Sequence, residues 1–354
     1  KGEEALDCLG MMKKDGVSPN SITFAYILKT CGDVGLVNKG GVIHDEIIQN
    51  GLLLQGDVML ATALVEMYAR AGMLSKAEKV LDELLIQNVV SWNVLITGYT
   101  QHGLSDEALN CFQQMRYDCL SPSSSTFALV LSASGCLGSA KQGQEIHAEI
   151  KKRGLLEKNI MLGTAVVDMY AKCGLLEKAK EVFNELPAKD AVSWNALITG
   201  YVKHGNGVEA LLCFDQMQIE KIQPTIITLT CALKACAIIG ALGMGRTIHA
   251  LIHGEELLAK SPLIGIALVA MYAKCGMLDE AYSVLNKLDG RDTISWTTLM
   301  AGYVKQGYAE QAINCFERMQ REGISPDAVT FICILKACGS MKAIDKGKFI
   351  HGEI

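Results

Sequence analysis

Nine residues, SWNVLITGY at 91–99, return as SWNALITGY at 193–201 and as SWTTLMAGY at 295–303, each recurrence falling 102 residues after the last. Self-similarity at a fixed interval constrains a fold more than length does, because it marks a stack of like supersecondary units that share a continuous core. The 354 residues are therefore counted in repeats, not divided into the two or three domains that length alone suggests.

The period subdivides into repeats of 35, 36 and 31 residues, at 89–123, 124–159 and 160–190. The same lengths follow at 191–225, 226–261 and 262–292, and another cycle opens at 293–327 and runs on into 328–354. Towards the N terminus the frame gives 58–88, 21–57 and the tail of another repeat at 1–20, about ten repeats with the terminal ones truncated. Within 89–123, Trp92, Leu95, Ile96 and Tyr99 follow helical spacing, Gly103 ends that run, and Ala108, Leu109, Phe112 and Met115 mark a second helix. Pro122, Pro224 and Pro326 break the chain before the next repeat, since proline cannot continue a helix. Each repeat is thus a predicted helical hairpin. One hairpin cannot bury both its faces, so neighbours must stack into an all-α solenoid with an elongated concave groove.

Composition supports an ordered helical chain. Half of the residues are apolar and only 6 are proline, enough for a continuous core and too little proline for linkers or disorder. A formal charge of −5 argues against a general phosphate binder, so any nucleic-acid partner must meet a local basic stripe. The 13 cysteines contain no C-x-x-C pair, and several recur at equivalent positions, as Cys173 and Cys275 do within YAKCG. They read as small buried hydrophobes in a reducing compartment, not as disulfides or metal ligands. The start, KGEEAL, reads as the middle of a helix and not as a secretory signal, and both ends look cut. The apolar run at 226–245, interrupted by Lys234, reads as core helix in preference to a membrane span.

The patterns VVSWNxLITGYxxHGxxxEALxCFxQM, TFxxVLxACxxxGxxxxGxxIH and GTAVVDMYAKCGLLEKAKEVFNELPxKD resemble the P, L and S motifs of PLS-class pentatricopeptide repeat (PPR) proteins. Motif text, repeat lengths and their order all agree, over essentially the whole chain; the tetratricopeptide pattern W-x-x-L-G-x-x-Y does not fit. The resemblance implies a right-handed superhelical α-solenoid in which the first helix of every repeat lines the groove. It further implies that the fifth and last residues of a repeat face one base of single-stranded RNA.

On that reading Thr62 with Asn88 resembles the adenine pair, Asn93 with Ser123 the cytosine pair, and Thr164 with Asp190 the guanine pair. Asn195 with Thr225 leans to a pyrimidine, and Thr297 with Asp327 again to guanine. A Thr hydroxyl with an Asp carboxylate suits a purine edge that carries donors, whereas Asn with a small hydroxyl residue suits a pyrimidine edge. Ala25 and Ala128 can make no side-chain hydrogen bond, and neither Thr230 with Ser261 nor Ile266 with Asp292 has a clear reading. The expected site is 5′-A-C-n-G-Y-n-n-G-3′. Taken without the family frame, Asn93 and Asn195 read rather as residues capping a helix N terminus; the frame and the paired last residues reverse that preference.

The second residue of a repeat is Met59, Val90, Met161, Val192, Ile227, Leu263 or Ile294, with Ser125 the exception. The resemblance implies that these sandwich the bases; packing between hairpins is the alternative. The thirteenth is Arg70, Lys172, Lys203, Lys274 or Lys305, with Gln101 a departure and Asp33, Cys136 and Ile238 in the long repeats. A cation recurring once per hairpin forms a stripe that can meet phosphates, the alternative being solvated surface lysine.

An H-x-E triplet occurs at 44–46, 147–149 and 351–353, but zinc deaminases also need a downstream P-C-x-x-C, and the equivalent triplet at 249–251 is HAL. No Gly-rich phosphate loop, H-E-x-x-H or G-x-S-x-G element is present. The expectation is a chain that is not itself an enzyme, with no cofactor, no metal and no membrane partner. PLS arrays are typical of plant factors that specify C-to-U RNA editing. The resemblance therefore implies organellar RNA, in mitochondrion or chloroplast, as partner, with a deaminase domain supplied beyond the C terminus or by another protein, and editing accessory proteins. The alternatives are an organellar splicing or RNA-stability factor and, supported by the negative charge, a helical scaffold that binds protein.

Overall fold

The computed structural model describes residues 2–53, 57–84, 87–156, 159–254, 258, 261–288 and 290–353. They form two compact units, Lys1–Ala188 and Lys189–Ile354. The N-terminal unit holds α1 (Gly2–Lys14), α2 (Ser21–Val34), α3 (Val37–Gln49), α4 (Val58–Arg70), α5 (Leu74–Asp82), α6 (Val89–Gln101), α7 (Ser105–Tyr117), α8 (Ser124–Leu137), α9 (Ala140–Lys152), α10 (Ile160–Lys172) and α11 (Leu176–Glu185). The C-terminal unit holds α12 (Ala191–Lys203), α13 (Gly207–Ile219), α14 (Ile226–Ile239), α15 (Leu242–Gly254), α16 (Pro262–Lys274), α17 (Leu278–Lys287), α18 (Thr293–Lys305), α19 (Ala309–Arg321), α20 (Ala328–Ser340) and α21 (Ile344–Glu353). Among the described residues there is no strand. In each unit consecutive helices pair as antiparallel hairpins, and the first helices of successive hairpins pack side by side, as α4, α6 and α8 do.

The repeat text explains where each helix begins. The Asn88 side chain accepts the backbone N–H groups of Val90 at 2.7 Å and Ser91 at 3.0 Å, while the Ser91 hydroxyl accepts the Asn88 N–H at 3.2 Å. This reciprocal cap satisfies amides that have no partner inside the helix. It recurs at Ser123 with Thr126, Asp190 with Ser193, Thr225 with Thr228, Asp292 with Ser295 and Asp327 with Thr330. The last residue of a P- or S-type repeat is therefore the cap of the next repeat's first helix. At the other end of α6 the chain passes through Gly103, φ +75°, a left-handed conformation that costs an L side chain about 1 kcal/mol or more.

Each P-type hairpin fills its interior with Trp92, Leu95, Ile96 and Tyr99 from one helix and Ala108, Leu109, Phe112 and Met115 from the other, all buried. S-type hairpins solve the same problem differently. Where P-type repeats place Trp92, Trp194 or Trp296, S-type repeats place Ala61, Gly163 or Gly265. A Cβ on Gly163 would lie 2.4 Å from the Leu186 side chain, and one on Gly265 2.4 Å from Leu288. The leucine following the short second helix occupies the room that tryptophan takes in the longer hairpin. Among the buried cysteines, Cys111, Cys236 and Cys315 have thiol pKa values pushed up to about 12, mainly by burial. Such thiols are inert packing groups at neutral pH.

The apolar run at 226–245 is split between α14 and α15 by Gly240, φ +72°. No helix among the described residues is long and apolar enough to cross a membrane.

Candidate nucleic-acid interface

In the N-terminal unit a groove of about 770 Å³ runs across α4, α6 and α8, lined among others by Glu66, Arg70, Val90, Asn93, Gln101 and Ala128. These positions are the second, fifth and thirteenth singled out by the sequence, with the ninth beside them. Helical geometry puts them on one face, since those positions recur about every turn. The second residues are not packed between hairpins: from Met59 at 47% to Met161 at 82%, with Val90, Val192, Ile227, Leu263 and Ile294 between, all are exposed.

Asn93 and Asn195 are not helix caps, because Asn88 and Asp190 hold that place. Instead each reaches the start of the following hairpin. The Asn93 amide donates to the Ser123 hydroxyl at 3.4 Å and accepts from the Thr126 hydroxyl at 2.7 Å. Asn195 donates to Thr225 at 3.0 Å and accepts from Thr228. Thr297 meets Thr330 at 2.6 Å, and the Thr330 hydroxyl donates to the Asp327 carboxylate at 2.7 Å. The Asp327 carboxyl is held below its usual range by the Thr330 backbone N–H and then by that hydroxyl, so it is ionised at neutral pH. Fifth and last residues of P-type repeats thus meet directly or through one hydroxyl.

The remaining fifth positions differ. The Thr62 hydroxyl donates to its own helix at Val58 O, 2.7 Å, while Asn88 stays occupied as a cap. Thr164 is only 8% exposed, and its hydroxyl finds no hydrogen-bond partner among the described residues. Asp190 is exposed and caps Ser193. Thr230 bonds back to Ile226 O.

The predicted cation stripe divides in two. Arg70 is held by Asp33 and Glu66, and Lys172 by Asp168 at 2.7 Å. Burial works against the Lys172 charge, yet hydrogen bonding to Asp168 carries its pKa up. Lys203, Lys274 and Lys305 are exposed and make no ion pair among the described residues. Sequence reasoning passed over the carboxylates Glu66 and Asp168, although a carboxylate four residues before a cation on a helix is a legible pair. It also passed over Thr126, Thr228 and Thr330, whose only signal was the spacing of a capping box.

Two of the H-x-E histidines, with the histidine of the equivalent HAL triplet, serve the framework. His44, His147 and His249 place Nδ1 at 3.1, 2.9 and 2.8 Å from the hydroxyls of Tyr68, Tyr170 and Tyr272 on the next first helix. Burial lowers the pKa of His44 and His147, which keeps both neutral.

Models of the PPR repeat family match residues 87–134, 189–238 and 291–340. A pentatricopeptide repeat domain model matches 1–34, and a PPR repeat model matches 61–89, 164–190 and 267–292. The chain belongs to the pentatricopeptide repeat family. This PPR chain is 35% identical over 352 residues to the chloroplastic pentatricopeptide repeat-containing protein At1g11290 of Arabidopsis thaliana, covering 99% of this chain and 43% of the relative. It is 33% identical over 347 residues to the mitochondrial At2g03380 of the same plant, covering 98% of this chain and 50% of the relative. It thus spans about half the length of these curated relatives. Its fold matches that of the pentatricopeptide repeat protein PPR10, solved in complex with an 18-nt psaJ RNA element, with TM-score 0.81 at 19% identity, over 99% of this chain and 52% of that one.

Proposed function

We propose that this PPR chain is a sequence-specific single-stranded RNA-binding array that reads one base per repeat and serves as the specificity segment of a PLS-class organellar C-to-U editing factor. The observation that carries the reading is the pairing of Asn93 with Ser123 and of Asn195 with Thr225 across successive hairpins. Asn93 lies in a groove floored by half-buried polar side chains and edged by exposed Val90. Paired polar groups over an apolar ledge suit a splayed base, which needs its edge hydrogen-bonded and its face covered. The RNA held by PPR10 and the chloroplastic and mitochondrial names of relatives support RNA as the ligand and an organelle as the place. Editing and the PLS class rest on the motif text, the repeat lengths and their order, and the deaminase would be supplied by another polypeptide or region. Protein is the competing ligand, favoured by the formal charge of −5 and by the neutralised Arg70 and Lys172.

The deciding experiment measures binding to RNA containing A-C-n-G-Y-n-n-G and to the same RNA with its first C changed to G, for wild type and for Asn93→Thr with Ser123→Asp. Wild type prefers C and the double variant prefers G if the groove reads RNA. No binding by either, or affinity indifferent to salt, moves the protein-scaffold reading ahead.

A further inference from the structure

The third residue of the hairpin that follows each complete P-type repeat is buried, hydroxylated and bonded to both groups of the preceding pair. Thr126, Thr228 and Thr330 are 0% exposed. We infer that these three threonines are specificity-positioning residues, whose hydroxyls relay the donor or acceptor character of a repeat's last residue to its fifth. The inference rests on the RNA reading above, and adds a residue to it.

A hydroxyl has one proton, so its partners determine where that proton goes. At Thr330 one partner is the Asp327 carboxylate, 2.7 Å away, which when ionised can only accept. Thr330 therefore spends its proton on Asp327, and the 2.6 Å contact with Thr297 requires the Thr297 hydroxyl to donate. Thr297 is left with oxygen lone pairs alone for a ligand, an acceptor suited to the N–H groups of a guanine edge.

At Thr126 the surroundings differ and so does the result. Its oxygen accepts the Ser123 backbone N–H at 3.1 Å, as Thr330 accepts that of Asp327, but the Ser123 hydroxyl 3.0 Å away can donate where a carboxylate cannot, so the Thr126 proton goes to Asn93 Oδ1 at 2.7 Å. With Oδ1 held and Nδ2 turned towards Ser123, the amide offers the groove its second N–H. A donor there suits the unprotonated N3 of cytosine and opposes the N3–H of uracil. Thr228 repeats the arrangement on Asn195. Without the hydroxyl the amide is free to turn over, and a turned amide accepts where it formerly donated.

The test uses the whole chain, the A-C-n-G-Y-n-n-G RNA and its C→U partner at the second base, with Thr126→Val, which keeps shape and loses the hydroxyl, and Thr126→Ser, which keeps the hydroxyl. Wild type and Thr126→Ser favour C over U by roughly tenfold, while Thr126→Val brings the ratio within roughly twofold. In the same Thr126→Val protein the preference for G over A at the eighth base, served by Thr297, stays at the wild-type ratio, which shows that the array is still folded and bound. A variant Thr126→Val that keeps the full C preference overturns the relay and leaves the RNA reading standing. A wild type that binds C and U alike removes the reading and the relay together. Should Thr126→Val fail to melt cooperatively, Thr330→Val read at the eighth base decides by the same ratios.

Discussion

P-type and S-type hairpins begin from similar text and end with different surfaces. In a P-type repeat the fifth side chain leans onto the next hairpin's capping box, as Asn93 does on Ser123 and Thr126. In an S-type repeat the fifth side chain makes no such bond: Thr62, half-buried, donates to its own backbone, and Thr164 is buried without a hydrogen-bond partner among the described residues. The interiors differ in parallel, with tryptophan at the fourth position of one and glycine or alanine in the other. The same stacked architecture therefore tolerates two packings, and only one of them fixes the fifth side chain by a hydrogen bond to the next hairpin.

The largest way to break the comparison is through those interiors. Trp296→Ala removes a fully buried ring and is expected to cost about 3–5 kcal/mol, whereas Leu288→Ala, opposite Gly265 in the S-type hairpin, costs about 2–5 kcal/mol. Urea denaturation of each single variant measures both. If Gly265→Ala is harmless, the leucine does not occupy the space assigned to it, because overpacking there should cost about 1–3 kcal/mol.

The charges come next. Replacing Lys203, Lys274 or Lys305 by Gln should flatten the salt dependence of RNA binding by about 0.7 in log–log slope each. Arg70→Gln and Lys172→Gln should change it less, because Asp33, Glu66 and Asp168 already meet those cations. Binding titrations across a salt series separate the two groups.

A smaller effect concerns the turn that closes P-type repeats. Cys119 and Lys221 sit at φ +59° and +58°, where the equivalent Gly16 and Gly323 have +74°. Cys119→Gly and Lys221→Gly should each stabilise by about 1 kcal/mol, read from the melting temperature.

The smallest effect separates junctions by pH. Because burial depresses the folded pKa of His44 and His147, the unfolded chain binds protons more readily. Stability is fully present above the unfolded value of about 6.5 and declines as pH falls from there through the folded values. His147→Gln should lessen that decline in melts at successive pH values, while the neutral Asn93–Ser123–Thr126 junction contributes none of it.

Much of this was legible in the residues. Helical spacing around Trp92 and Phe112, the glycine stops and the repeat lengths pointed to stacked hairpins because burial periodicity is local. The second residues and the Asn93–Ser123 pair were singled out by the resemblance; the former are exposed and the latter hydrogen-bonded to each other. What stayed hidden were contacts between repeats: Asp33 reaching Arg70, the His147–Tyr170 pair, and the Thr126 hydroxyl on Asn93. No local pattern encodes which side chains of two stacked hairpins come within hydrogen-bond distance. Nor does spacing reveal that Thr164 is buried.

The most direct measurement is a scan in which each of the eight bases of A-C-n-G-Y-n-n-G is substituted in turn and the affinity of the whole chain is determined. The account predicts the largest losses, on the order of 1–3 kcal/mol, at the bases facing Asn93, Asn195 and Thr297, smaller ones opposite Thr62 and Thr164, and the least opposite Ala128, Thr230 and Ile266. Equal losses at all eight bases, or the largest opposite Thr62 and Thr164, would contradict it.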